Sequence, residues 1–176
     1  MRLFLAIDIP DKVKHQIHDQ LYHIQKEYAD FNWVSPENYH ITIQFYGETD
    51  EEKKLKKQLE DALYDQESFY LYSTDVDLFM RNRIIIYLNF RREKKIEELF
   101  KKLGHLPDNN HHEKFIPHLT LARCRIPSKQ QYFVLKKRLS KLEIDASFHV
   151  KEIYLFESHL GGKKPEYKKM DKIKLL

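Results

Sequence analysis

The 176-residue sequence has little of several features that would point to common classes of function. Its single cysteine, Cys124, excludes an intramolecular disulfide and fits a reducing compartment. Its four glycines form no glycine-rich loop of the kind that cradles ATP phosphates, so ATP-dependent chemistry is not expected. The apolar run of residues 3–7 is interrupted by Asp8 and Pro10, which makes it too short for a signal peptide or a membrane span. We therefore expect a cytoplasmic protein with no membrane partner.

The composition predicts one folded domain with a small excess of positive charge. Lysine and arginine together number 31 against 27 acidic residues, and 41% of the residues are apolar. A net charge of +4 permits an anionic partner but does not require one. No segment rich in proline, glycine or serine divides the chain, so we expect a single domain over residues 1–176.

The pattern of apolar residues predicts an α+β fold. The predicted helices cover residues 11–28, 50–64, 91–103 and 128–142. The predicted strands cover residues 2–8, 32–34, 39–46, 68–77, 83–90, 115–123, 144–156 and 167–175. Several strands follow one another directly, which favours a mostly antiparallel sheet over a doubly wound parallel one.

A short repeat stands out within two of the predicted strands. Residues 40–43 read HITI, and residues 118–121 read HLTL. Ten histidines and four threonines placed at random would produce about 0.2 His-x-Thr triplets, whereas the chain has two. In a strand, the first and third residues of each motif point to one face, and the aliphatic residues point to the other. Each motif therefore presents an imidazole beside a hydroxyl.

This pairing of side chains suits acid–base chemistry on a phosphodiester. Two imidazoles near neutral pH can supply one general base and one general acid, which makes His40 and His118 the candidate catalytic residues. The hydroxyls of Thr42 and Thr120 can donate hydrogen bonds to the non-bridging oxygens of a phosphate. If the two strands face each other across a groove, a phosphodiester between them meets a base on one side and an acid on the other.

Four segments of the chain resemble the 2H phosphoesterase superfamily, and in particular its bacterial RNA 2′,3′-cyclic phosphodiesterase branch, also called 2′-5′ RNA ligase-like. Two of them contain the histidine motifs, and the other two lie near the ends of the chain. The segments are RLFLAIDIP at residues 2–10, WVSPENYHITIQFYGE at 33–48, FIPHLTLAR at 115–123, and ESHL at 157–160 followed by Tyr167. The segment after the first motif departs from the family pattern of the Phe-Leu-Gly type, because here it reads Phe45-Tyr46-Gly47.

The resemblance implies a fold, an activity and site residues. The fold would have two pseudo-symmetric lobes, each a mostly antiparallel sheet backed by helices, with the motif strands lining a central cleft. The activity would be metal-free hydrolysis of RNA 2′,3′-cyclic phosphate ends to a 2′-phosphate, with weak reverse 2′,5′ ligation and no cofactor. The family also implies that Arg123 contacts phosphate, that His118 is the base and that His40 is the acid. We expect a monomer acting on RNA or on a nucleotide with a cyclic phosphate end.

Two further groups of residues bear on the site. Aromatic residues flank the motifs, and Phe45 or Tyr46 could stack on a base; because they point to opposite faces of the strand, only one of them can do so. His111-His112-Glu113, together with His118, could suggest a metal site, but the spacing matches no standard zinc pattern. We therefore expect no metal.

Two alternative functions remain compatible with the sequence. One is a phosphodiesterase acting on 2′,5′-oligonucleotides or on another cyclic phosphate such as that of ADP-ribose, which would use the same four side chains. The other is a non-catalytic module that binds RNA ends. Two complete motifs argue against the module, because binding alone needs cations more than it needs two titrating imidazoles.

Overall fold

The computed structural model describes residues 1–80, 82–104, 115–125, 128–162 and 165–176. The helices are α1 (Asp11–Glu27), α2 (Glu52–Leu63), α3 (Lys94–Leu103) and α4 (Lys129–Leu139). The strands are β1 (Arg2–Asp8), β2 (Asn32–Trp33), β3 (His40–Glu48), β4 (Phe69–Met80), β5 (Ile84–Phe90), β6 (His118–Cys124), β7 (Ser147–Val150), β8 (Glu152–His159) and β9 (Glu166–Lys174). Within these residues no helix is long and apolar enough to cross a membrane.

The strands form two antiparallel sheets, which confirms the predicted α+β class. One sheet has the order β3-β1-β8-β9, and the other has the order β2-β6-β5-β4-β7. The chain passes between the sheets several times, so that the first histidine motif opens β3 in the four-stranded sheet and the second opens β6 in the five-stranded sheet. The fold therefore places one motif in each sheet, on strands at or next to the sheet edge.

The helices cover the apolar faces of the sheets. Along α1, Val13, Ile17, Leu21 and Ile24 recur at spacings of three and four and are buried, as the apolar pattern of this segment predicts. Most buried residues of both sheets join those of the helices in one continuous core, whereas Phe4, Ala6 and Phe156 form a separate small cluster. The sheet faces that the helices do not cover line a cleft. Strands β3 and β6 approach each other at this cleft.

One predicted strand is divided in the structure. The sequence predicts a single strand over residues 144–156, but β7 ends at Val150 and β8 begins at Glu152 in the other sheet. The buried positions change phase here, from Phe148 and Val150 to Ile153 and Leu155, because the chain crosses between sheets at Lys151. The second motif strand also begins later than the sequence predicts, at His118 rather than at residue 115.

Candidate active site

The two motifs meet at one cleft of about 900 Å³, the size range of small-molecule sites. Ile41 and Ile43 on β3, and Leu119 and Leu121 on β6, are buried in the core. The alternate side chains point the other way and line the cleft. These are His40, Thr42, His118 and Thr120, together with Arg123 near the end of β6. The structure thus brings together the residues that the motifs identified as candidates.

Both imidazoles are held by the same kind of hydrogen bond. The Nδ1 atom of His40 lies 2.7 Å from the carbonyl oxygen of Asn38, and the Nδ1 atom of His118 lies 2.9 Å from that of Ile116. A carbonyl oxygen only accepts hydrogen bonds, so each Nδ1 carries the hydrogen. The Nε2 atom of each ring is then the nitrogen that can exchange protons with a ligand.

His40 lies in a mostly aromatic environment. Its ring centroid is 5.2 Å from that of Phe4, 5.0 Å from that of Tyr167 and 6.2 Å from that of Phe156. Loss of solvation in this environment lowers the pKa of His40 to about 4, although the hydrogen bond to Asn38 and the charge of Asp8 act in the opposite direction. His40 is therefore neutral at physiological pH.

His118 has a different environment. Its ring makes edge contacts with Phe79 and Tyr87, at centroid distances of 6.3 and 5.6 Å. Tyr87 is opposite Thr120 in the β5–β6 register, so strand pairing sets this contact. The two histidines thus share the anchoring of Nδ1 but have different neighbours.

The remaining polar groups can bind an anion. Thr42 and Thr120 follow their histidines on the same face of each strand, and both hydroxyls belong to half-buried residues that line the cleft. Arg123 also lines the cleft and forms no ion pair with a carboxylate in the described part of the chain. A planar guanidinium with two hydroxyl donors matches the oxygens of a phosphate.

Of the two aromatic candidates for base stacking, only Phe45 lines the cleft. Its side chain is 63% exposed, with its ring centroid 5.8 Å from that of Phe4. Tyr46 packs against the core, where burial raises the pKa of its phenol. Of the two side chains, Phe45 therefore stays the candidate for base stacking, and Tyr46 does not reach the cleft. A register shift in the β1–β3 pairing changes the alternation after Thr42, so that Phe45 rather than Tyr46 faces the cleft.

The structure adds cleft residues that the motif analysis did not select. Phe4 on β1 and Tyr167 on β9 contact the ring of His40, and Arg2 on β1 lines the same cleft. All three lie in segments that carry the family resemblance, which was the available signal. Their roles depend on β1 lying between β3 and β8, a pairing that local sequence patterns do not specify.

The residues considered for a metal site lie largely outside the described structure. His111, His112 and Glu113 fall between residues 105 and 114, which are not among the described residues. Elsewhere, over the described ranges, no group of three or more histidine, cysteine, aspartate or glutamate side chains is arranged to hold a metal ion.

Comparison with known proteins identifies relatives along nearly the whole chain. Residues 7–162 match the family model of the 2′-5′ RNA ligase superfamily. An RNA 2′,3′-cyclic phosphodiesterase of Methanocaldococcus jannaschii is 33% identical, and the match covers 95% of this chain and 96% of that protein. An RNA 2′,3′-cyclic phosphodiesterase of Thermotoga maritima is 28% identical, covering 96% of this chain and 92% of that protein.

Solved structures share the fold at lower sequence identity. Escherichia coli LigT complexed with 3′-AMP aligns with a TM-score of 0.75 at 23% identity, covering 99% of this chain and 97% of that chain. A Thermus thermophilus protein, TT0787, aligns with a TM-score of 0.77 at 20% identity, covering 99% and 98%. Since the family model spans most of the sequence and the two-sheet fold is shared, the chain belongs to the 2′-5′ RNA ligase superfamily, a group of 2H phosphoesterases.

Proposed function

We propose that this protein hydrolyses the 2′,3′-cyclic phosphate at the 3′ end of RNA to a 2′-phosphate. The observation that carries the proposal is the convergence of His40, Thr42, His118 and Thr120 on one cleft from two different sheets. Two proton-transfer groups and two hydroxyl donors are what hydrolysis of a cyclic phosphodiester requires. The names of the relatives, RNA 2′,3′-cyclic phosphodiesterases, support the same substrate.

The protonation of His40 assigns the roles of the two residues in the proposed reaction. His40 is neutral, so its Nε2 can accept a proton from water as the water oxygen attacks phosphorus. The bond between phosphorus and the 3′ oxygen then breaks, and His118 donates a proton to that oxygen. This order reverses the roles that the family resemblance implied, because burial among aromatic rings disfavours the cationic form that a general acid at position 40 would need.

The phosphate ligands act on the charge that develops at phosphorus. Thr42 and Thr120 donate hydrogen bonds to the non-bridging oxygens, and Arg123 neutralises their negative charge. Attack and departure must occur on opposite sides of phosphorus, a geometry that suits one histidine from each sheet. A 5′ hydroxyl that attacks the same phosphorus in place of water, with the same departure of the 3′ oxygen, forms a 2′,5′ linkage, so weak 2′,5′ ligation is part of the proposal.

A 2′,5′-oligonucleotide phosphodiesterase is the second candidate. Aromatic side chains flank both histidines, with Phe45 and Phe4 on one side and Phe79 and Tyr87 on the other. A nucleoside on each side of the phosphorus could use both groups of aromatic residues. The relatives' names favour the cyclic phosphate, and a direct comparison of substrates separates the two candidates.

The test uses a dinucleotide that ends in a 2′,3′-cyclic phosphate, with EDTA in the buffer. We expect hydrolysis to a 2′-phosphate, identified by phosphorus NMR, and slower cleavage of a 2′,5′-linked dinucleotide. The matched control is the His40→Gln/His118→Gln protein, which should have no activity above background. Wild-type protein that binds the dinucleotide without hydrolysing it would show a binding module, and loss of all turnover in EDTA would contradict metal-free catalysis.

A further inference from the structure

A second cation, Arg2, lines the cleft in addition to the groups assigned to the scissile phosphate. Along β1, Leu3 and Leu5 are buried in the core, whereas Arg2 and Phe4 line the cleft. The ring of Phe4 contacts His40, with 5.2 Å between centroids. Two residues further along an extended strand, at about 3.4 Å per residue, Arg2 lies about 7 Å beyond Phe4. In the β1–β3 register Arg2 is opposite Glu48 whereas Asp8 is opposite His40, so the backbone of Arg2 is displaced along the strand from that of His40.

Arg2 has no ion-pair partner in the described part of the chain. Glu48 is opposite it in the β1–β3 register, yet the two side chains form no ion pair. A protein that leaves an arginine unpaired on the wall of a concave site provides a binding position for an anion. Arg123 has the same property, so the cleft holds two unpaired guanidinium groups for one scissile phosphate.

Tyr167 lies near both arginines. Its ring contacts His40 and Phe4, with centroid distances of 5.0 and 5.2 Å. Burial raises the pKa of the Tyr167 phenol, and the positive charges of Arg123 and Arg2 act to lower it. One end of the cleft therefore combines two cations with an aromatic wall. Phe45, exposed beside Phe4, extends this wall.

We propose that Arg2 binds the phosphate on the 5′ side of the terminal nucleotide, so that the cleft selects an RNA end over a cyclic mononucleotide. This inference rests on the proposed function, because it assumes that Arg123 and the two threonines hold the cyclic phosphate. The terminal nucleoside then lies along the aromatic wall, between the cyclic phosphate at His40 and the next phosphate at Arg2. A bidentate guanidinium contact is well suited to such a phosphodiester.

Three substrates test the proposal. They are adenosine 2′,3′-cyclic phosphate, the same nucleotide with a 5′-phosphate, and the dinucleotide ApA ending in a 2′,3′-cyclic phosphate. We expect wild-type kcat/KM to be higher for the two substrates with a 5′-side phosphate. An advantage for the dinucleotide alone would identify the RNA diester as the ligand, whereas an advantage shared by both would identify any 5′ phosphate.

The variant Arg2→Gln should reduce the ratio of kcat/KM between the dinucleotide and the mononucleotide by about tenfold or more. Arg2→Lys should restore part of the ratio because it keeps the charge. Arg91→Gln is the matched control, since Arg91 is an exposed arginine over the ring of Tyr72 and is not among the residues that line the cleft. The kcat/KM ratio of Arg91→Gln should stay within about twofold of the wild-type ratio, because substitutions at exposed positions away from a site have small effects.

Salt dependence provides a second readout. For the dinucleotide, the slope of log kcat/KM against log salt should become shallower by about 0.7 in Arg2→Gln, as expected for one lost contact to a single-stranded phosphate. The slope should not change in Arg91→Gln. If Arg2→Gln is active and its substrate ratio and salt slope equal those of wild type, the proposed role of Arg2 is wrong but the proposed function still stands. Wild-type protein inactive on all three substrates would instead overturn the proposed function together with this inference.

Discussion

His40 and His118 are anchored identically, each with Nδ1 hydrogen-bonded to the carbonyl oxygen two residues earlier in the chain, at 2.7 and 2.9 Å. The two contacts come from different sheets and repeat the same local geometry. Each fixes the tautomer that leaves Nε2 for chemistry. The repeated motif thus specifies an orientation as well as a residue type, and the difference between the two histidines arises from their neighbours.

Replacing either histidine should nearly abolish turnover. His40→Ala and His118→Ala should each lower kcat by about 10²–10⁴-fold on a cyclic-phosphate dinucleotide, because each removes one proton transfer. The double variant should be little worse than either single one, since the two residues act as a unit. Steady-state kinetics check this, with His15→Ala as a control, because His15 is exposed on α1. Near-normal turnover by His40→Ala would refute the assignment.

The threonines should contribute through hydrogen bonds to phosphate. Thr42→Val and Thr120→Val keep the shape of the side chain and remove the donor, so each should raise the barrier by about 1.5–3 kcal/mol. That range corresponds to a loss of about 10–150-fold in kcat/KM. Arg123→Gln should have an effect of at least this size. Thermal unfolding should show that the fold is retained, and a Thr120→Val enzyme as active as wild type would contradict the phosphate contact.

Leaving-group chemistry should separate the acid from the base. If His118 protonates the departing oxygen, a substrate with a good aryl leaving group needs no acid, and His118→Ala should recover most of its activity on it. His40→Ala should not recover, because water still has to be deprotonated. The measurement compares the rates of both variants on the aryl ester and on the cyclic phosphate, and it identifies the general acid. Recovery of His40→Ala instead would restore the roles that the family resemblance implied.

The pH dependence of kcat/KM should report the low pKa of His40. Because a base must be unprotonated, the acid limb of the profile should fall at about pH 4, well below the ordinary imidazole range. Phe4→Ala would let water reach the ring of His40, which lies 5.2 Å away, and should move this limb to higher pH. Profiles of wild type and Phe4→Ala on the same substrate test this. An acid limb that does not move would show that burial by Phe4 does not set the pKa.

A buried ion pair behind the site should matter for stability. The Nζ atom of Lys14 lies 2.7 Å from Asp8, and the side chain of Lys14 is only 9% exposed. Asp8→Asn leaves this ammonium with only a longer contact of 3.8 Å to the exposed Asp11, so it should cost about 3 kcal/mol. Adding Lys14→Met removes the unpaired charge and should recover much of the loss. Urea unfolding of the two variants checks the prediction, and additive losses in the double variant would refute the coupling.

The sequence alone determined the identity and local arrangement of the catalytic candidates. The alternation of residues 40–43 and 118–121 places each imidazole beside a hydroxyl on one strand face, because side chains alternate along any extended chain. Continued without interruption, the same alternation would place Tyr46 on the face of His40 and Thr42. The register shift in the β1–β3 pairing places Phe45 there instead. That shift depends on the partner strand and is not visible in the sequence.

Only the tertiary structure decided the environment of the site. Arg2 and Tyr167 are separated by most of the chain, yet both line the cleft that contains His40 because β1 lies between β3 and β8, and β9 pairs with β8. The protonation of His40 follows from the rings that surround it, and those rings come from β1, β8 and β9. Strand order and burial depend on contacts between distant segments. A local sequence motif can therefore identify a candidate histidine but cannot specify its protonation state.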